Sequence, residues 1–348
     1  MAIEVVLPRL NSYQFLGKVI RLTDSHQAKI EEKPEVKKAG GVFYTPTYIV
    51  DYIVKNTVGR IVDGKTPKEV SELKFLDISC GSGSFLIGTY QYLLDWHIGW
   101  YMDKLAPHIK EGKPATNKEV QKFLPVKPTQ KKKGKQKNRF VGLDYDFPIY
   151  QMSETDWRLT SDEKKRILLN NIYGVDIDQQ AVEVTKLSLL LKVLEGEKGE
   201  RIKKQLTITQ ERVLPSLHDN IKCGNSLIGQ DIYSNLPPIL NNEEDLNRIN
   251  AFDWEREFPE IFEKGGFDAV IENPPYVRQE LLKGQKEYFK DRYEVYHGIA
   301  DLYAYFIEKG ISLLRENGQF SYIVANKWMR ANYGKPLRTW PRSWNEIT

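Results

Sequence analysis

The apolar run Phe267-Asp268-Ala269-Val270-Ile271 passes through Glu272 into Asn273-Pro274-Pro275-Tyr276. The run is rich in strand formers, and the two prolines that follow have fixed φ and no N–H. The segment reads as a strand with a stiff polar exit. In open α/β sheets that exit lies at the carboxyl edge, where ligands are held. Three more strand-like runs share this form: Lys74 to Asp77, which opens through Ile78-Ser79-Cys80 into Gly81 and Gly83; Ile172 to Asp176; and Ile221 to Cys223, followed by Gly224-Asn225-Ser226. Between them lie helix patterns. One is expected from Ser84 to about Met102. Another, from Gln179 to Leu194, carries Ala181, Val182, Val184, Leu187, Leu190, Leu191 and Leu194 at near-helical spacing, with Gly196 marking its end. A third spans Asp301 to Leu314, with Tyr303, Phe306, Ile307 and Ile311 as core positions; Asn317-Gly318 stops it before a strand at Gln319 to Ala325. Strands alternating with helices imply an α/β sheet.

The groups at Asn273 to Tyr276 suit methylation of an exocyclic amine on a planar ring. Such a nitrogen is a weak nucleophile because its lone pair is delocalised. The Asn273 side-chain oxygen and the Pro274 carbonyl can each accept one of its N–H groups and draw it towards tetrahedral geometry. Pro275 keeps the loop stiff, and Tyr276 offers a face for stacking. A plain proline-rich strand exit fits the same four residues, so context must decide.

The glycine turn supplies part of that context. Glycines there let backbone approach a ligand, and the helix start offers free N–H groups. No Lys follows as a phosphate-binding P-loop needs, and the spacing is not G-x-G-x-x-G. A nucleoside-bearing cofactor whose amino-acid end reaches Asp77 remains. Asp176 closes the second strand where an acid commonly takes both ribose hydroxyls, whereas Asp178 suits a helix cap. Asn225 can read an adenine edge, although Asn-Ser after Gly is also ordinary turn chemistry.

Together these residues resemble the γ-type DNA adenine-N6 methyltransferases of restriction-modification systems, in particular the Eco57I-like group, over about Leu16 to Arg338. Gly41-Val42-Phe43-Tyr44-Thr45-Pro46 is similar to the family's N-terminal cofactor motif, and Asp77 to Phe85 to its glycine-loop motif. Asn273 to Tyr276 matches the catalytic motif, with Val277-Arg278-Gln279-Glu280 typical of the group. Asp301-Leu302-Tyr303 and Asn326 to Gly334 continue in family order. Ile78 departs from the family's usual Pro, which changes local backbone and removes no ligand. The resemblance implies a Rossmann-like methyltransferase sheet with helices on both faces and S-adenosyl-L-methionine as cofactor. It would be held by Tyr44, Thr45, Pro46, Asp77, Cys80, Gly81, Gly83, Phe85, Asp176, Ile177, Asn225 and Ser226. Double-stranded DNA is the implied substrate, with a separate specificity or nuclease polypeptide as a further partner.

Residues 1–40 resemble the family's helical connector, residues 41–338 its catalytic domain, and 339–348 a divergent tail. The closing C-terminal hairpin, a target-recognition domain and a nuclease domain are expected to be missing. Glu31-Glu32-Lys33 and Glu35-Val36-Lys37 read as E-x-K, but they flank Pro34 in a polar run where no strand is expected. The net charge of +4 does not by itself announce nucleic acid. Within a long excursion at 106–165, Lys127, Lys131, Lys132, Lys133, Lys135, Lys137 and Arg139 occur with no acid among them. A solvated loop and a phosphate-contacting arm both fit.

Cys80 and Cys223 suggest no disulfide framework, the five histidines no metal site, and the lack of a signal or membrane-length apolar segment a cytoplasmic place. His297 lies near the catalytic motif as a loop residue beside Gly298. Asp268 and Glu272 are expected to be structural, Glu272 with some influence on the field of the site. Two other functions stay open: an RNA or protein amine methyltransferase, and a truncated remnant that binds cofactor or DNA without turnover.

Overall fold

The computed structural model describes residues 45–125, 147–196, 214–235, 249–276 and 285–340, together with a strand pair, β1 (Lys18–Leu22) and β2 (Ala28–Glu32). From Thr45 onward the chain runs α1 (Thr47–Val62), α2 (Pro67–Val70), β3 (Phe75–Asp77) and α3 (Ser84–Lys104). Next come α4 (Ala106–Lys110), α5 (Lys118–Gln121), β4 (Ile149–Gln151), β5 (Trp157–Leu159) and α6 (Ser161–Asn171). The sheet continues with β6 (Ile172–Asp176), α7 (Gln179–Leu194) and β7 (Ile221–Cys223), then α8 (Trp254–Glu257), α9 (Pro259–Phe262) and β8 (Phe267–Glu272). Last are α10 (Lys286–Arg292), α11 (Tyr303–Ser312), β9 (Leu314–Tyr322) and α12 (Lys335–Thr339).

Five parallel strands form the central sheet in the order β7-β6-β3-β8-β9. From β3 the chain steps outward to β6 and β7, then returns to the other side of β3 with β8. The order therefore reverses between β3 and β8, and a crevice at their carboxyl ends is the expected ligand position. The core has two halves because successive strand residues face opposite sides. Phe75, Ala269 and Ile271 pack with Val54, Leu86, Tyr90 and Leu189 on one face. Leu76, Val270 and Val175 pack with Phe258, Tyr303, Tyr305 and Ile307 on the other. Helices thus cover both faces of the sheet, as the resemblance implied.

Several contacts fix where the strands emerge. The buried amide of Asn171 donates to the Val70 and Leu73 carbonyls at 2.6 and 2.8 Å, and that of Asn220 to Leu169 and Ile172, both at 2.9 Å. Asp268 accepts from the Lys74 N–H at 2.7 Å and pairs with Arg315 at 2.5 Å, which ties β8 to the start of β3 and to β9. Helix α1 lies close along α3: a Cβ at Gly88 would fall 2.4 Å from Val50 Cγ1. That packing sets the position of Thr45, just ahead of α1.

Helix α7 has the expected bounds because Asp178 caps it, accepting from Gln180 N–H at 2.9 Å. Other expectations change. The described part of the connector is an antiparallel strand pair rather than helix, with Ile20 opposite Ile30 and Lys18 opposite Glu32. Ala28 to Glu31 alternate apolar and charged residues, and β1 carries the strand formers Val19 and Ile20. Glu31 and Glu32 therefore belong to a strand. The excursion at 106–165 holds α4, α5 and the β4–β5 pair, and α6 begins inside it at Ser161. Lys127 to Arg139 lie outside the described residues.

Helix α11 stops at Ser312, short of Asn317-Gly318. Instead Leu314 already pairs with Phe267, and Asn317, at φ 63°, sits in a register shift within β9. On α7, Leu187 and Leu191 are exposed at 57% and 52%, whereas Thr185, Leu189 and Val193 are buried.

Candidate active site at the carboxyl edge of the sheet

Asn273 leaves β8 at the switch point, and its side-chain Nδ2 donates to Thr45 Oγ1 at 3.1 Å. Thr45 is buried and waits just before α1. This bond fixes the amide plane and commits its nitrogen end. The opposite end, Asn273 Oδ1, is buried without a hydrogen-bond partner. A buried acceptor left bare is costly, so such atoms commonly serve a ligand. The Pro274 carbonyl likewise accepts no hydrogen bond among the described residues. Two acceptors are thus kept on one rigid loop. Tyr276 is anchored by its hydroxyl to the Ile323 carbonyl at 3.2 Å, and its ring lies 5.7 Å from that of Tyr303 at a 51° tilt. Tyr303 itself is fully buried and shares a 2.9 Å hydrogen bond with the Tyr333 hydroxyl. It braces the aromatic platform from the core side.

The glycine turn is built from the neighbouring strands. The Gly81 N–H donates to Asp176 Oδ2 at 2.7 Å, while the Asp178 N–H donates to Oδ1 at 2.8 Å. Thr185 on α7 donates to the Gly81 carbonyl at 2.8 Å. Gly83 starts α3 at φ 81°, where a Cβ would meet Thr185 at 2.8 Å, so glycine is required on two counts. Cys80 N–H reaches the Val175 carbonyl at 3.0 Å and its side chain is buried. Ser226 bonds the Ile78 carbonyl through its hydroxyl and takes the Trp254 indole N–H on its own carbonyl at 3.0 Å. Ser226 therefore ties the β7 loop to the glycine turn. Asn225 Oδ1 accepts from Leu227 N–H at 3.1 Å, an Asx turn that commits its oxygen. Ile177 presents an apolar side chain, 52% exposed, directly after Asp176. Phe85, expected at the cofactor, is 3% exposed and packs in the core. Pro46 opens α1, its carbonyl accepting from Ile49 and Val50. Tyr44 lies outside the described residues.

The electrostatics are one-sided. Asp77, Asp176 and Glu272 end three adjacent strands, β3, β6 and β8, and all are buried. No Lys, Arg or His pairs with any of them among the described residues. Burial raises the Asp77 pKa well above the ordinary carboxylate value, the Asp176 charge adds to that, and the Ser79 N–H opposes it. Burial also raises Asp176, against the pull of the Asp178 and Gly81 N–H groups. Glu272 is raised well above its usual value by burial and then by Asp77, while the Ser79 hydroxyl works the other way.

In sequence Glu272 is expected to be structural, with some influence on the field of the site. Structure adds that it accepts a hydrogen bond from Ser79 across the gap between two strands. A buried cluster of acids beside an exposed apolar side chain and a glycine turn fits a cationic nucleoside ligand.

Two family descriptions match this chain: Eco57I restriction-modification methylase over residues 170–346, and N-6 DNA Methylase over residues 30–105. The type II restriction enzyme and methyltransferase RM.Eco57I of Escherichia coli is 32% identical over 335 residues, 94% of this chain and 27% of that protein. A putative type II restriction enzyme and methyltransferase of Methanocaldococcus jannaschii, RM.MjaORFECS2P, is 31% identical over 201 residues, 56% of this chain and 15% of its own. The solved DrdV–DNA complex covers 88% of this chain and 23% of its own at 14% identity, with a TM-score of 0.43. This chain therefore spans 27% of the length of the first of these relatives and 15% of the second.

Fold and site define a doubly wound α/β domain of the methylase class, with paired acceptors at the switch point of its sheet. The chain belongs to the Eco57I restriction-modification methylase family.

Proposed function

We propose that this chain carries the catalytic centre of a site-specific DNA methyltransferase of a restriction-modification system, which transfers a methyl group from S-adenosyl-L-methionine to N6 of an adenine in double-stranded DNA. The observation that carries the reading is Asn273 Oδ1, buried and without a partner on an amide held from behind by Thr45. An exocyclic amine is the ligand that such an acceptor, paired with the Pro274 carbonyl, best satisfies. Family membership supports the same chemistry.

The residues present fit the cofactor. Asp176 and Ile177 would hold its ribose and adenine, Asn225 the adenine edge, and Asp77 with the glycine turn its amino-acid end. When bound, the cofactor supplies a methyl group on a positively charged sulfur. Everything else falls to this chain. Tyr276 stacks the target ring, which must leave the duplex because a paired N6 is engaged in base pairing. Asn273 and Pro274 accept the two amine N–H groups and turn the lone pair out of the ring plane. No strong base is needed, since the nitrogen becomes acidic only on alkylation.

The natural setting of such a reaction is the cytoplasm, with DNA as partner and a further specificity or nuclease polypeptide in the same system. Methyl-labelled donor offered with duplex DNA, RNA or protein tests the reading: label is expected in DNA alone, at adenine N6. Asn273→Ala should lower transfer on the order of a hundredfold or more, with donor affinity kept within about twofold. Undiminished transfer by that variant would remove Asn273 from the mechanism.

A further inference from the structure

The site contains a group that the reaction described above does not use. Glu272 is fully buried at the end of β8, one residue before the catalytic loop. Its Oε1 takes the Ser79 hydroxyl, while Oε2 has no partner at hydrogen-bonding geometry. The Tyr322 hydroxyl on β9 is also buried, and it lies beside the Glu272 carboxyl as its neighbour of hydrogen-bonding type, outside ideal geometry. The titratable groups that face Glu272 are Asp77 on β3, Asp176 on β6 and Tyr322 on β9, with the Ser79 hydroxyl from the glycine turn. None is a cation. A buried carboxyl that has two hydroxyls and two further acids around it, and no cation, is stable as the neutral acid or beside a ligand cation.

We propose that Glu272 is a specificity-determining residue that reads the positive charge of the methyl donor, so that the site binds the sulfonium form in preference to the neutral thioether product. The proposal rests on the reading of this edge as the S-adenosyl-L-methionine site. Charge changes there in one step. The amine lone pair forms the new C–N bond, the C–S electron pair stays on sulfur as a neutral thioether, and the positive charge leaves as a proton from the alkylated nitrogen. An anionic cluster is thus matched to the donor and mismatched to what remains after transfer. Release of product follows from the same electrostatics that favour binding of donor.

A proton balance accompanies binding. Burial and the neighbouring Asp77 favour the protonated form of Glu272 in the free protein, and a ligand cation favours the ionised form. Donor binding therefore expels a proton, and donor affinity rises as pH rises through the interval between the bound and free values. Product binding, with no sulfonium charge, should show little of either effect.

Calorimetric titration of the purified protein with S-adenosyl-L-methionine and with S-adenosylhomocysteine tests this, in mildly acidic and mildly alkaline solution and in two buffers of different ionisation enthalpy. Wild type is expected to prefer the donor, and to release protons on binding donor but not product. Glu272→Gln should reduce the donor-over-product ratio about tenfold or more, leave product affinity nearly unchanged, and cut the proton release. Glu272→Asp should restore part of the ratio.

An unchanged ratio in Glu272→Gln overturns the proposal, as does an equal loss of both affinities, which would mark a role in shape alone. Should that variant not fold, the wild-type proton count decides: release on donor binding supports the assignment, and none overturns it. Wild-type protein that binds neither ligand would instead overturn the donor-site reading itself.

Discussion

Thr45 and Asn273 are 228 positions apart in the chain and form one unit, because the threonine hydroxyl holds the nitrogen end of the amide and leaves the oxygen end bare. Thr45→Val should free the amide to rotate and lower methyl transfer about tenfold, the worth of one hydrogen bond, with donor affinity largely kept. Thr45→Ser should recover most of the rate; a rate for Thr45→Val equal to wild type would show that Asn273 needs no such hold. Glu272 gives a second prediction. Its folded pKa, like that of Asp77, is raised above the unfolded value by burial. The folded state then binds protons that the unfolded chain has lost. Their contribution to stability is full below the ordinary carboxylate range and is lost as pH rises through the folded value. Melting of the ligand-free protein should therefore show a larger gain from Glu272→Gln in alkaline solution than in acid, by a few degrees. A gain independent of pH would mean that Glu272 is ionised throughout.

The glycine turn shows how two similar residues in one element differ. Gly81 and Gly83 both have positive φ, at 51° and 81°. Around Gly81 a Cβ would meet no atom within 4 Å, whereas at Gly83 it would strike the Thr185 side chain at 2.8 Å. Gly81→Ala should cost about 1 kcal/mol from backbone strain alone, and Gly83→Ala about 2–4 kcal/mol once the clash is added. Urea unfolding of the two variants measures the difference, and equal losses would exclude the Thr185 contact as its cause.

The turn was legible because Gly-x-Gly between an apolar strand and a helix has few alternatives. Helix α7 was legible to the residue, since Asp178 is a capping acid and the apolar spacing is helical. The end of α11 was not. Asn317-Gly318 announces a left-handed residue, but that conformation serves a helix terminus and a strand bulge equally. Only pairing of Leu314 with Phe267 selects the bulge. The strand pair at β1 and β2 was missed because the resemblance to a helical connector outweighed a short alternation confined to Ala28 to Glu31.

Across the whole molecule, α7 has apolar residues on more than one side, and the sheet covers only one of them. Leu189→Ala should cost about 2–5 kcal/mol in urea unfolding, as a buried leucine does. Leu187→Ser with Leu191→Ser should cost less than about 1 kcal/mol, as exposed changes do. A large loss from the exposed pair would mean that this face is covered in solution. The sequence alone determined β3, β6, β7 and β8, the helices α3 and α7, and the stiff loop with its two acceptors, because these follow from local spacing, glycine turns and proline geometry. Tertiary structure decided which acceptor stays bare, which leucines are buried and that acids ending three strands form one buried cluster. Those facts depend on strand order, and strand order brings together residues that no local rule connects.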